Sequence, residues 1–463
     1  MTGPAEHAMP ENRTRIRFWG PVAAMCLFAY IWMQDQAMIP HAATPMIRDL
    51  NATVNLLQVA VAVVSMVSAS LYLTAGKLGD RYGMRRVFQI GVLLFGLGTL
   101  AAVVSPNMGA FIGGWSVVRG IASALMFPAG LALLVNHYDG QRRDVAFAAF
   151  AIAYPIGILV GPLLMGTSVT YLNWRVPFAL DGVLVIFMLL LTRTMSETKR
   201  YPIVRLDRAS VLLSILGAGG LVLGLVLAGQ EIGGALPIAL VVCGMGLLSL
   251  LLLLWRTRRL EASGCQPLLR SSLFQNRTFV TGWLTLGLAW VVGGAMLFVV
   301  PVFLQLSSGF DALHSAYTTS ALSVGSICGG LASAWLLRHM AARRLMQGAM
   351  AMMAVGCAWL LLPMEPTATS SVFLLPLGVF GIGLGVVAAQ ALNVSLSGIS
   401  PEEQGEATAL NTTGQDICYG LGVAVFGSIL ISLALTTQAL QVALVVMLVV
   451  VVGGLAIASF IPR

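Results

Sequence analysis

The chain has 463 residues, of which 58% are hydrophobic and only 10% charged, and its mean hydropathy is +0.89. So little polar surface excludes a water-soluble globule of this size and leaves a protein that crosses a membrane many times. The formal charge of +8 comes from cations in short loops between apolar runs, not from one arm or patch, which points to membrane orientation and away from nucleic acid.

Residues 1–17 are polar and carry Arg13, Arg15 and Arg17, and read as a cytoplasmic N-terminal tail. The apolar run that follows has no small-residue cleavage site and reads as an uncleaved first span. At roughly 20 apolar residues per span, fourteen spans are predicted, beginning near residues 18, 55, 87, 108, 144, 174, 208, 236, 278, 312, 344, 371, 404 and 438. With the N-terminus in the cytoplasm, every Lys and Arg falls on the cytoplasmic side except Arg48 and Arg175, outside, and Arg119, within a span. That bias predicts both termini in the cytoplasm. The loop SPEEQGE, Ser400 to Glu406, is the exception in having no cation; Ser400, Pro401 and Glu403 there predict a capped helix start.

A charge at the middle of a bilayer costs about 2.5–3.5 kcal/mol and marks a function or a partner. Asp35 in the first span shares a helix face with Trp32 and Met38; it is either a functional acid or an acid solvated near the outer interface. Between the second and third spans stands GKLGDRYGMRR, where Gly76 and Gly79 are expected to let helix ends approach and Gly83 to permit the turn. Asp80, Arg81, Arg85 and Arg86 supply its charges, with Lys77. In the fourth span Arg119 lies near the bilayer middle, as a functional or a structural cation. The fifth carries GILVGPLLMG, with Gly157, Gly161, Pro162 and Gly166, which closes helices together or bends one. FGIGLG, Phe380 to Gly385, sits inside an apolar span with no strand before it, so helix packing explains it better than a dinucleotide. Asp416 in the thirteenth span is either a functional acid or a helix-pairing hydrogen-bond acceptor.

Seven residues separate Leu78 from Arg85-Arg86 and Leu336 from Arg343-Arg344, as in a decayed second copy of one loop. The expected organisation is the tail 1–17, a six-helix bundle 18–200, an inserted two-helix segment with cytoplasmic linkers at 201–277, and a second six-helix bundle 278–463. The fold class is all-α and polytopic. The six cysteines are scattered, without metal-like spacing. The sequence holds no Walker lysine motif, nucleophile elbow or metal-spaced histidine pair, so neither an ATP-driven pump nor an enzyme is expected, and no cofactor or metal is called for.

GKLGDRYGMRR resembles the signature loop of the major facilitator superfamily, G-x-L-x-D-R-x-G-x-R-R. The two extra spans, GILVGPLLMG against G-x-x-x-G-P-x-x-G-G, and the segments PLLRSSLFQNRTF and PVFLQLSSGF are similar to the fourteen-helix branch of its drug:proton antiporters. That resemblance implies two six-helix bundles plus two inserted helices, alternating access, and location in the plasma membrane, or the inner membrane of a Gram-negative cell. It also implies an acid at Asp35, matching an L-D-x-T-type motif with Ala37 in place of the threonine. The family's R-x-x-Q-G would put its arginine at Ser116, whereas here Arg119 stands three residues later. The expected function is proton-coupled export of lipophilic or amphiphilic compounds, multidrug efflux included, with protons, a small-molecule substrate and membrane lipid as partners and no obligate protein partner. The alternatives are a proton-coupled symporter of a small anion or metabolite, and a lipid flippase. Proton exchange near neutral pH needs a site that disfavours the ionised acid by about 4 kcal/mol relative to water, which burial supplies and a neighbouring arginine opposes.

Overall fold

The structure is a computed structural model that describes residues 11–197, 207–228, 235–263, 271–362, 369–399 and 403–461. Parts of the predicted tail and of both linkers, Pro267 to Arg270 of PLLRSSLFQNRTF, and the predicted cap residues Ser400 and Pro401 lie outside those residues. Among the described residues there is no strand. In a bilayer the backbone donors and acceptors must be satisfied within the protein, and this chain does so within its own helices.

Fourteen long helices follow one another among the described residues. They are α1 (Glu11–Met38), α2 (Val54–Tyr82), α3 (Met84–Val104), α4 (Met108–His137), α5 (Gly140–Tyr171), α6 (Val176–Leu191), α7 (Arg208–Ala228), α8 (Ala235–Ala262), α9 (Arg277–Leu306), α10 (Ala312–Leu336), α11 (Ala342–Trp359), α12 (Ser370–Leu396), α13 (Gln404–Ser432) and α14 (Thr437–Ala458). Twelve are long and apolar enough to cross a membrane. The others are α7, whose apolar run is Arg208–Leu221, and α11, which opens on Arg343 and Arg344 and has 18 residues. α1 begins at Glu11, ahead of the apolar stretch that opens at Phe18, and α13 begins at Gln404 with Glu403 before it. After Met38 the first span tightens through Ile39–Ala42, where Pro40 removes a backbone donor, and continues as a short helix Ala43–Asp49.

The pairings repeat. α1 packs on α5 and α6, α2 on α4, and α3 on α4 and α6; eight positions later α9 packs on α13 and α14, α10 on α12, and α11 on α12 and α14. Two antiparallel seams, α2 with α13 and α5 with α10, join the halves and exchange under the same shift. α7 and α8 pair with each other, and α7 lies over the first seam, touching both α2 and α13. FGIGLG is packing: a Cβ at Gly381 or Gly385 would overlap the backbone of α10, and one at Gly383 the backbone of α11.

The seams close differently along their length. Away from the basic end of the helices, His41 Nε2 lies 2.8 Å from Thr319 Oγ1 of α10, Gln305 Nε2 donates to the Pro40 carbonyl at 2.8 Å, and Ser323 Oγ donates to the Ile158 carbonyl at 3.1 Å. The two cations at that end, Arg48 and Arg175, both pair with Asp49, at 3.0 and 3.9 Å. At the basic end Lys77 of α2 meets Glu406 of α13 at 3.7 Å, and Leu73 enters an apolar cluster with Leu273, Phe279 and Leu410 of the second half.

Candidate functional site

Asp35 sits near the middle of the span Phe18–Asp49 and is 2% exposed, so the solvated-interface alternative does not describe it. Arg119 of α4 is fully buried and forms an ion pair with Asp35 through its Nη2. α4 reaches this geometry through a π turn over Ile112–Val117, which carries an extra residue and resets the face presented by the residues after it. Ser116, where the family motif would have its arginine, instead donates to the Ala60 carbonyl of α2 at 2.8 Å. The Arg119 guanidinium lies 3.8 Å from the Phe95 ring centroid and 5.8 Å from that of Trp115, so aromatic faces replace water around it.

A third charged residue joins them that sequence reading missed. Asp181 of α6 is 1% exposed and accepts from Gln34 Nε2 at 2.7 Å, and its carboxyl lies within hydrogen-bonding reach of Asp35. Its signal was present in VPFALDGVLVIFMLLL, one acid in an otherwise apolar helix, the same pattern that marks Asp35. Trp32 and Met38 are buried beside the acid: Trp32 packs against Phe28, with ring centroids 6.5 Å apart, and Met38 Sδ lies 3.9 Å from Gln34 Nε2.

The small residues of α5 seat that helix directly against α1. A Cβ at Gly161 would stand 2.6 Å from the Gln34 carbonyl oxygen, and one at Gly157 would overlap that of Tyr30. Gly166 serves the other seam, where a Cβ would come 2.8 Å from the Ala312 carbonyl of α10, and Pro162 borders a small cavity with His41, Thr319 and Ser323.

Asp416 belongs to a separate cluster. It is 4% exposed and accepts from Ser68 Oγ at 2.9 Å and Tyr72 Oη at 2.7 Å, both on α2 across the seam. Nearby, Tyr419 Oη donates to the Gln36 carbonyl at 3.2 Å and Gln36 Nε2 to Ser65 Oγ at 3.0 Å, so polar bonds line this seam between the two acids.

In the loop between α2 and α3, Gly83 has φ +101°, a conformation that favours glycine. A Cβ there would also come 2.6 Å from Glu197 Oε1, which accepts from the Arg85 backbone N–H at 3.1 Å. Glu197, after α6, is a second residue the sequence reading did not single out. Gly79 faces Met84, but a Cβ at Gly76 would meet nothing within 4 Å, so the close approach expected of Gly76 is absent. Arg81 lies 5.2 Å from the Tyr82 ring; Asp80 is half-buried one turn from Lys77, and Arg86 is exposed.

A sequence profile of the Major Facilitator Superfamily matches residues 22–423. The puromycin resistance protein pur8 of Streptomyces alboniger is 28% identical over 435 residues, covering 92% of this chain and 84% of that protein. The multidrug efflux pump LfrA of Mycolicibacterium smegmatis is 25% identical over 420 residues, covering 90% and 82%. A crystal structure of the peptide transporter POT in complex with sulfate superposes with a TM-score of 0.69 over 98% of this chain and 96% of its own, at 14% identity, a likeness of fold alone. With a profile match over most of its length and a repeated six-helix plan, the chain belongs to the major facilitator superfamily.

Proposed function

We propose that this chain is a proton-coupled antiporter that exports lipophilic or amphiphilic compounds by alternating access. The observation that carries this reading is the Asp35–Arg119 ion pair, buried in mid-span on two different helices of a chain whose relatives are a resistance protein and an efflux pump. A carboxylate paired with a buried guanidinium is poised between two partners: a proton that neutralises it weakens its hold on the arginine, and a substrate near it shifts that balance. The symporter reading asks Arg119 to await an anionic substrate, whereas here Asp35 already occupies it.

The working organisation is a first bundle 18–200, an inserted pair within 201–277 and a second bundle 278–463, with all fourteen long helices crossing the plasma membrane and both termini in the cytoplasm. The repeated pairings and the segregation of the cations support it. In that orientation the outer end is shut by the His41–Thr319 and Gln305–Pro40 contacts. Transport requires those contacts to part while the contacts of the α2–α13 seam at the basic end hold, and then the reverse, with Asp35 exposed in turn to either side.

Proteoliposomes with an imposed pH gradient test the reading, with puromycin and ethidium as probes. Uphill movement of either probe against the proton flux is the expected result. Cotransport of probe and proton in one direction, or lipid transfer between leaflets without probe movement, would replace it.

A further inference from the structure

We propose that Asp35 and Asp181 hold one proton between them, which makes Asp181 a second proton-carrying residue of the transporter. This rests on the proton-coupled reading above. Two carboxylates and one guanidinium, all buried, carry a net charge of −1 when both acids are ionised. Asp181 Oδ2 and Asp35 Oδ1 are buried without a donor, although the two carboxyl groups lie within hydrogen-bonding reach.

Two ionised carboxylates cannot hydrogen-bond to each other, and like charges this close disfavour double ionisation. One proton on either acid supplies the missing donor, brings the cluster to neutrality and leaves one carboxylate for Arg119. Losing that proton forms no other bond; it returns the pair to two carboxylates that share one guanidinium. Gln34, which donates to Asp181 at 2.7 Å, fixes the second acid in place without contributing charge. The charged and titratable groups that face the pair are Arg119 from α4 and Tyr30 from α1. α3 contributes Phe95, Gly98 and Thr99, none of which titrates.

Infrared difference spectra of the purified full chain, acid minus alkaline, read the C=O stretch of protonated carboxyl groups. One band is expected to vanish in Asp35→Asn and equally in Asp181→Asn, because whichever acid remains is ionised by Arg119 alone. Persistence of every band in Asp181→Asn overturns the proposal, and so does the loss of two different bands in the two variants. Asp181→Glu, which restores the carboxyl, is expected to restore the band and controls for folding. Ethidium transport in proteoliposomes separates the two readings: a shared band in a chain that moves no probe under a pH gradient upholds the shared proton and removes the antiporter, whereas coupled transport with the Asp181→Asn band unchanged does the reverse.

Discussion

Gly98 of α3 leaves the space that the Arg119 side chain fills: a methyl group at Gly98 would overlap Arg119 Cγ and come 3.3 Å from its Cδ. The aliphatic stem of a fully buried cation cannot give way without moving the guanidinium off Asp35. Gly98→Ala is therefore expected to abolish gradient-driven efflux and to lower stability by about 1–3 kcal/mol through overpacking. Gly348→Ala on α11, where a Cβ meets nothing within 4 Å, is the control and is expected to transport normally. Efflux assays at matched membrane expression check both.

Removing one partner of a buried ion pair costs up to about 3–5 kcal/mol when the other is left uncompensated, and less in Asp35→Asn, where Asp181 remains to balance Arg119. Asp35→Asn is expected to lose gradient-driven efflux and to unfold at lower temperature. Asp35→Asn combined with Arg119→Gln is expected to recover most of the stability and none of the coupling. Recovery of transport in the double variant would show that the pair is structural.

Tyr72 and Ser68 both donate to Asp416 Oδ2 across the α2–α13 seam, so they tie the halves together while that oxygen accepts. Tyr72→Phe removes one bond, worth about 1 kcal/mol within a membrane, and is expected to favour separation of the seam. Crosslinking of cysteine pairs placed on α2 and α13 measures this. Lower crosslinking yield in Tyr72→Phe is the expected outcome, and a yield equal to the parent's removes the latch role.

Much of this was legible in the sequence because the bilayer leaves few choices: an apolar run must be a helix, and a lone charge within it stands out. Asp35, Arg119 and Asp416 were visible for that reason. Their partners were not, because pairing joins residues far apart in the chain, such as Asp416 with Tyr72. The π turn before Arg119 gave no signal in composition, yet it accompanies the three-residue offset from the family pattern. Asp181 was legible and was missed. Gly76, chosen by motif position, faces open space because the close contacts of that loop fall on Gly79 and Gly83 instead.

Asp207, ahead of α7, receives Arg256 of α8 at 2.6 and 2.8 Å and the Ser210 hydroxyl at 2.5 Å. The Arg256 hydrogen bonds hold its carboxyl below the ordinary carboxylate range, against a smaller opposing effect of burial. A depressed folded value contributes stability that is fully present above the unfolded ionisation near about pH 3.9 and is lost as pH falls toward the folded one. Arg256→Gln is expected to loosen α8 from α7 at neutral pH and to flatten the acid limb of the thermal midpoint below about pH 4. An acid limb as steep as the parent's would assign the acid sensitivity to other carboxyls.

Lys77 and Glu406 face each other at 3.7 Å where α2 and α13 meet at the basic end, with side chains 17% and 21% exposed. A partly exposed pair contributes at most about 1 kcal/mol, so its loss should bias the conformational equilibrium without unfolding the chain. Glu406→Lys places two cations on the seam and is expected to slow efflux several-fold while leaving probe binding near the parent's. Lys77→Glu with Glu406→Lys restores the attraction in reverse and is expected to restore turnover. Asp80→Asn, one turn away on the same loop, should likewise lower transport more than binding. If the double swap stays as slow as Glu406→Lys alone, the two side chains act separately and the seam at this end closes through the Leu73 cluster, for which Leu73→Ala is then the decisive variant.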